Sequence, residues 1–172
     1  AQAHVVPRRS GFEHQLVEPG RRVAARHWRA MTDRGVTVNH VGQCVSDLDR
    51  ARAFYEAFGF AVVRELEVPD AAGSLLRLDP PIGMRVVYLE RDGFVLELMH
   101  FADRKGTPAS ERPMDQPGLT HLSLGVDDLG VAKATIRAHG GEVLEDTDVG
   151  VAVFARDPDG QLLELLTGWT KP

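Results

Sequence analysis

The segments HVGQCVSDLDRARAFYEAFGF (residues 40–60) and HLSLGVDDLGVAKATIRAHGG (residues 121–141) align without gaps and agree at 8 of 21 positions. A second match links DGFVLELM (92–99) with DGQLLELL (159–166), identical at 5 of 8. A chain that repeats itself over such a span is built from two copies of one supersecondary unit, so any fold assigned to one copy must also suit the other. The offset between copies is 81 residues at the start and 67 at the end. The difference, 81 minus 67, leaves 14 extra residues in the first copy between its helix and its last strand.

Each copy has the same grammar. TVNHVGQCV and LTHLSLGV alternate as strands, each carrying a histidine. Ser46 or Asp47, and Asp127 or Asp128, supply oxygens that cap a following helix. Leu48, Ala51, Tyr55 and Phe58 fall on one helical face, as do Leu129, Ala132 and Ile136. Gly59 and Gly140 sit where a helix ends in a left-handed residue. Three strands follow: residues 61–68, 75–78 with 84–89, and 94–100 in the first copy; residues 142–146, 151–156 and 162–167 in the second. RDGF and DPDGQ are hairpin turns. The expected fold is α+β, two tandem βαβββ modules over residues 35–102 and 119–172, joined into a barrel-like cavity. DRKGTPASERPMDQPG, residues 103–118, reads as a linker.

Residues 1–34 read as an extension outside the domain, with a short helix near residues 23–30. Six arginines against Glu13 and Glu18 give residues 1–30 a net charge of +4, within a chain whose total is −5. That total gives no electrostatic footprint for nucleic acid. No apolar run approaches the length of a membrane span. The single cysteine, Cys44, leaves no internal disulfide framework and fits a reducing, cytoplasmic setting.

Chemistry concentrates at four matched positions. Each copy has a histidine on its first strand, His40 or His121, and a glutamate on its last, Glu97 or Glu164. Both glutamates sit between leucines, where a carboxylate is costly unless paired or bound to a cation. If the copies pack about an approximate two-fold axis, the four can converge. Two imidazoles and two carboxylates suit one divalent ion, Ni, Co, Zn or Mn, with Fe(II) less favoured. In an octahedron they leave two corners open for a substrate with neighbouring oxygens. The bland reading is two His–Glu pairs inside a barrel.

With its His…Glu…His…Glu order and the segments THLSLGVDDL and FARDPDGQLLELL, the chain resembles the vicinal oxygen chelate superfamily over about residues 36–168. That superfamily includes glyoxalase I, methylmalonyl-CoA epimerase, extradiol dioxygenases and drug-binding resistance proteins of the bleomycin type. The ligand order is that of bacterial-type glyoxalase I. The resemblance implies a metal-dependent lyase or isomerase that moves a proton next to the chelated carbonyl of a thiol adduct or hydroxy-ketone. It implies His40, Glu97, His121 and Glu164 as ligands, Glu164 as base and Glu97 as a possible second base. An epimerase of the methylmalonyl-CoA type and a non-catalytic binding protein are the alternatives. Where the bacterial enzyme grips glutathione with Arg and Asn, this chain has Cys44 and Phe101, so that grip is not carried over. Many relatives pair, and a homodimer binding a small-molecule substrate is expected.

Cys44 shares the strand face of His40 and could line the pocket, although a small buried apolar role is favoured. Phe101, Met84 and Met99 are candidate pocket lining. Arg77 and Arg85 could meet an anionic tail, with solvated strand faces the favoured reading. His100 and His139 read as structural.

Overall fold

Asp47 and Asp128 open the two main helices in the same way. Each has extended backbone, and its carboxylate accepts from the N–H three residues on, that of Arg50 or Val131. This satisfies one of the orphan donors of the first turn. Helix α1 spans Leu48–Ala57 and, after a short helical turn α2 at Gly73–Leu76, helix α3 spans Leu129–Ala138. In this computed structural model residues 35–102, 104 and 112–168 are described; the expectation for residues 1–34 lies outside them, as does most of 103–111. All elements belong to the second of two compact units, Asn39–Pro172.

Around α1 lie β1 (Val41–Cys44), β2 (Ala61–Val68), β3 (Met84–Arg91) and β4 (Phe94–Phe101). Around α3 lie β5 (Leu122–Gly125), β6 (Glu142–Val143), β7 (Ala152–Arg156) and β8 (Leu162–Leu166). They form two four-stranded sheets, ordered β1-β4-β3-β2 and β5-β8-β7-β6, with β1/β4 and β5/β8 parallel. The duplicated βαβββ order is therefore present. The sheets are separate and are not closed into a barrel, which corrects the barrel-like expectation.

Two strand expectations also change. Residues 75–78 form no strand: α2 ends at Arg77 in the left-handed region, φ 56°. Leu76 and Leu78 instead pack with Ile82, Met84 and Val86. The strand expected over residues 142–146 stops at Val143, and Glu145–Thr147 turns as a 3-10 helix.

Strand alternation gives each sheet two faces. Leu96 and Leu98 of β4 and Leu163 and Leu165 of β8 point toward the helices, where Phe54, Tyr55 and Ile136 join them in one core spanning both modules. Each such leucine contributes about 2 kcal/mol by leaving water. The modules approach closely at Gly141, where an added Cβ would lie 2.5 Å from the Arg156 carbonyl and 3.0 Å from the Phe54 ring.

A buried carboxylate locks the modules together. Asp157, 3% exposed, sits in the β7–β8 turn. Its Oδ1 accepts from the N–H groups of Asp159 and Gln161, shaping the turn. Its Oδ2 receives the Gln43 amide at 2.5 Å and the Tyr55 hydroxyl at 2.9 Å, both from the first module. Four donors offset the cost of burying the charge.

Candidate metal centre

The opposite sheet faces carry the chemistry. Glu97 lies between the helix-facing Leu96 and Leu98, so its side chain emerges on the other face. Glu164 does the same between Leu163 and Leu165. His40 and His121 each stand one residue before the first strand of their module, beside the strand that carries the glutamate. In the first module His40 Nε2 is 3.0 Å from Glu97 Oε2. In the second, His121 Nε2 is 3.6 Å from Glu164 Oε2. The matched residues thus meet as two pairs, one per module. Among the described residues, no group of three or more His, Cys, Asp or Glu stands close enough to hold one ion.

Each pair is oriented from behind. His40 Nδ1 is 2.6 Å from Asn39 Oδ1, an atom that can only accept, so the Nδ1–H points there. In the neutral ring the Nε2 lone pair then faces a carboxylate oxygen. A proton on Nε2 closes this contact as an imidazolium–carboxylate pair, and a metal cation beside the two atoms is the other way to close it. Two ligand atoms on bonds of about 2.1 Å at right angles lie about 3.0 Å apart, the spacing of adjacent corners of an octahedron. His121 Nδ1 is likewise engaged, 2.9 Å from the Thr120 hydroxyl. Such contacts to the second ring nitrogen are what fix a metal-binding imidazole. An aromatic ring meets each imidazole edge-on: Tyr88 on His40 and Phe154 on His121, both with centroids 5.5 Å apart. The residues therefore fit a divalent cation as two halves of two ligands each.

The halves differ in their hydroxyl. Tyr88, directly across from Glu97, donates to Glu97 Oε1 at 2.6 Å. That bond, followed by burial and the glutamate's charge, pushes the Tyr88 hydroxyl up to about 12. In the second module the aromatic partner is Phe154, and Ser123 on β5 donates to Glu164 Oε2 at 2.7 Å. Gly42 stands at the position of Ser123, and a Cβ there would be 3.2 Å from Glu97 Oε2. Both oxygens of Glu97 are therefore held, by His40 and Tyr88, whereas the His121 and Ser123 contacts both fall on one oxygen of Glu164. The Glu97 side chain is 12% exposed and that of Glu164 27%.

The other candidates are placed as follows. Cys44 is exposed, which corrects the buried reading, and it lines a cavity with Gly42. Burial of its sulfur and the charge of Asp159 hold the thiol above its ordinary range. Met84, Met99 and Phe101 pack in a second apolar cluster around Ile82, on the face of the first sheet that bears Glu97. Arg77 and Arg85 are exposed. His100 binds the Val45 carbonyl and His139 the Thr135 carbonyl, both structural. Sequence reasoning missed Tyr88, Phe154, Ser123, Asn39 and Thr120. Tyr88 precedes the glutamate it faces by 9 positions and Phe154 by 10, which shifts the two out of the ungapped repeat.

Comparison with known proteins agrees with this fold. The sequence model of the Glyoxalase/Bleomycin resistance protein/Dioxygenase superfamily matches residues 37–165. A glyoxalase family protein from Bacillus cereus superposes with a TM-score of 0.64 at 20% identity, covering 77% of this chain and 93% of its own. The trypanothione-dependent glyoxalase I of Leishmania major is 28% identical, with a TM-score of 0.54 over 74% of this chain and 84% of its own. The fosfomycin resistance protein FosX of Listeria monocytogenes, solved with Mn(II) and sulfate, shares the fold at 18% identity, with a TM-score of 0.54 over 77% of this chain and 93% of its own. No curated protein matches the sequence.

Proposed function

The chain belongs to the Glyoxalase/Bleomycin resistance protein/Dioxygenase superfamily, and on that premise we propose that it is a metal-dependent lyase or isomerase of the glyoxalase I kind. It moves a proton at a carbon next to a carbonyl of a small substrate. The observation that carries this reading is the duplicated His–Glu pair, in each module with the histidine's Nε2 toward the carboxylate and its Nδ1 tied off.

Two ligands do not make a catalytic centre, which ordinarily takes three or more protein ligands. A second copy of the chain, placed about a two-fold axis, brings the His40/Glu97 half of one protomer to the His121/Glu164 half of its partner. A closed C2 dimer then holds two equivalent centres. A bound divalent ion, Ni, Co, Zn or Mn, supplies Lewis acidity and a sink for the negative charge that builds as the C–H bond ionises.

The residues of the chain do the rest. His40 and His121 anchor, with their rings fixed through Asn39 and Thr120. Glu97, gripped on both oxygens, stays a ligand. Glu164 has an oxygen outside the His121 and Ser123 contacts and more access to the face where substrate arrives, so it takes the proton and returns it to the neighbouring carbon. The test is metal content and affinity of protein purified without chelator, beside Glu164→Gln and His121→Ala. About one ion per chain in the wild type, weakened or lost in the variants, supports the centre and justifies a screen of hemithioacetals, CoA thioesters and hydroxy-ketones. No ion, and no affinity for added Ni, Co, Zn or Mn, contradicts it.

A further inference from the structure

A cavity of about 350 Å³ opens between β1, the β7–β8 turn and the 112–120 segment, a size suited to a small ligand. Gly42 and Thr120 line it; the first abuts Glu97 and the second binds His121. None of the four ligand candidates lines the cavity itself, but these two neighbours of Glu97 and His121 do, and its polar wall bears on what a substrate must carry.

Arg156, the last residue of β7, lines this cavity. It shares a sheet face with Phe154, which lies directly across from Glu164, and it pairs with Leu162. One two-residue step along a strand, about 7 Å, therefore separates Arg156 from the row of Glu164. Arg156 is half-buried, and its guanidinium makes one hydrogen bond, from Nη1 to the Gly160 carbonyl at 3.2 Å. Among the described residues no carboxylate forms an ion pair with it. The other charged side chains at the cavity are held in place by hydrogen bonds of their own. Arg112 binds the carbonyls of Gln116, Pro117 and Leu119. Asp159 is matched through Oδ1 alone, by Arg50 at 3.0 Å and by Ser46, and its Oδ2 is buried without a hydrogen-bond partner among the described residues. A half-buried guanidinium with donors to spare and no counter-charge is a planar fork awaiting an oxyanion.

We propose that Arg156 anchors a small anionic substrate through a carboxylate or a phosphate-like head group, with the reacting carbons about one strand step away at Glu164. This rests on the reading of Glu164 as the base. Its geometric part, an anion site at Arg156, stands or falls separately.

The experiment measures binding of acetate, methylphosphonate and inorganic phosphate by NMR titration to the full chain. It is run after removal of metal, and again with one equivalent of Co(II). Arg156→Gln and Arg156→Lys are run alongside, each with a thermal melt. The expected result is saturable binding to the metal-free wild type, weakened about tenfold or more in Arg156→Gln. Arg156→Lys, which keeps the charge and loses the fork, falls between. Preference for acetate assigns a carboxylate head, and preference for the other two a phosphate-like one. Binding that survives unchanged in Arg156→Gln, or no binding to the wild type, overturns the proposal. So does a variant that loses only melting temperature, because the bond to Gly160 is then the whole role of Arg156. Binding without metal, together with no Co(II) uptake, leaves the anion site standing and removes the metal centre.

Discussion

Tyr88 and Ser123 serve Glu97 and Glu164 from different strands, and this is where the two copies have diverged most at the candidate centre. A hydroxyl that holds a ligand carboxylate ordinarily changes metal affinity by about 10- to 100-fold when removed. Tyr88→Phe keeps the ring against His40 and removes only the 2.6 Å bond to Glu97. It is expected to weaken Co(II) binding at least about tenfold, read by titration of the visible spectrum, with a change in folding stability within about 1 kcal/mol. The four ligand candidates were legible because the repeat places them at matching positions. Their supports were not, because a hydroxyl on β3 in one copy and on β5 in the other leaves no matched pair to find. Arg156 was invisible for a related reason: only the cross-strand register puts it on the face of Glu164.

At the scale of elements, the β7–β8 turn carries more of the fold than a hairpin turn usually does. Asp157→Ala strands the Gln43 amide nitrogen and two backbone N–H groups, and leaves the Tyr55 hydroxyl only Gln43 Oε1 as acceptor. Urea unfolding is expected to report a loss of about 3 kcal/mol or more. Gly141→Ala drives a methyl group into the Arg156 carbonyl and the Phe54 ring, and a loss of about 2 kcal/mol is expected. Burial, and then the charge of Asp157, hold the Tyr55 hydroxyl well above its ordinary value of 10. The unfolded chain therefore ionises first, so this contribution is complete below about pH 10 and is lost as pH rises past it. Urea unfolding across that range should show stability falling with pH, with a shallower fall in Tyr55→Phe. Helix starts, helix ends and the succession of elements along the chain could be read from capping residues and periodicity. The segment at residues 75–78 could not, because a short apolar run looks the same in a strand and in a turn of helix packed on a sheet. There α2 lays Leu76 against the Ile82 cluster.

At the scale of the molecule, duplication yields two similar sheets with one shared core, each presenting one His–Glu pair. The sequence shows a histidine and a glutamate at matching positions of the two copies. It says nothing of whether the two pairs meet, because that depends on which surfaces the modules use against each other and against a second chain. The measurement that bears most directly on this is complementation between two defective chains. His40→Ala and His121→Ala are each expected to bind no metal tightly. Co-expressed with different tags and purified as the mixed dimer, they recreate one intact centre from the unaltered His40 of one chain and His121 of the other. About one ion per mixed dimer, with catalytic activity on any substrate found for the wild type, is the predicted result. A mixed protein as empty as its parents, or a wild type that binds a full complement of metal as a monomer, would contradict the account.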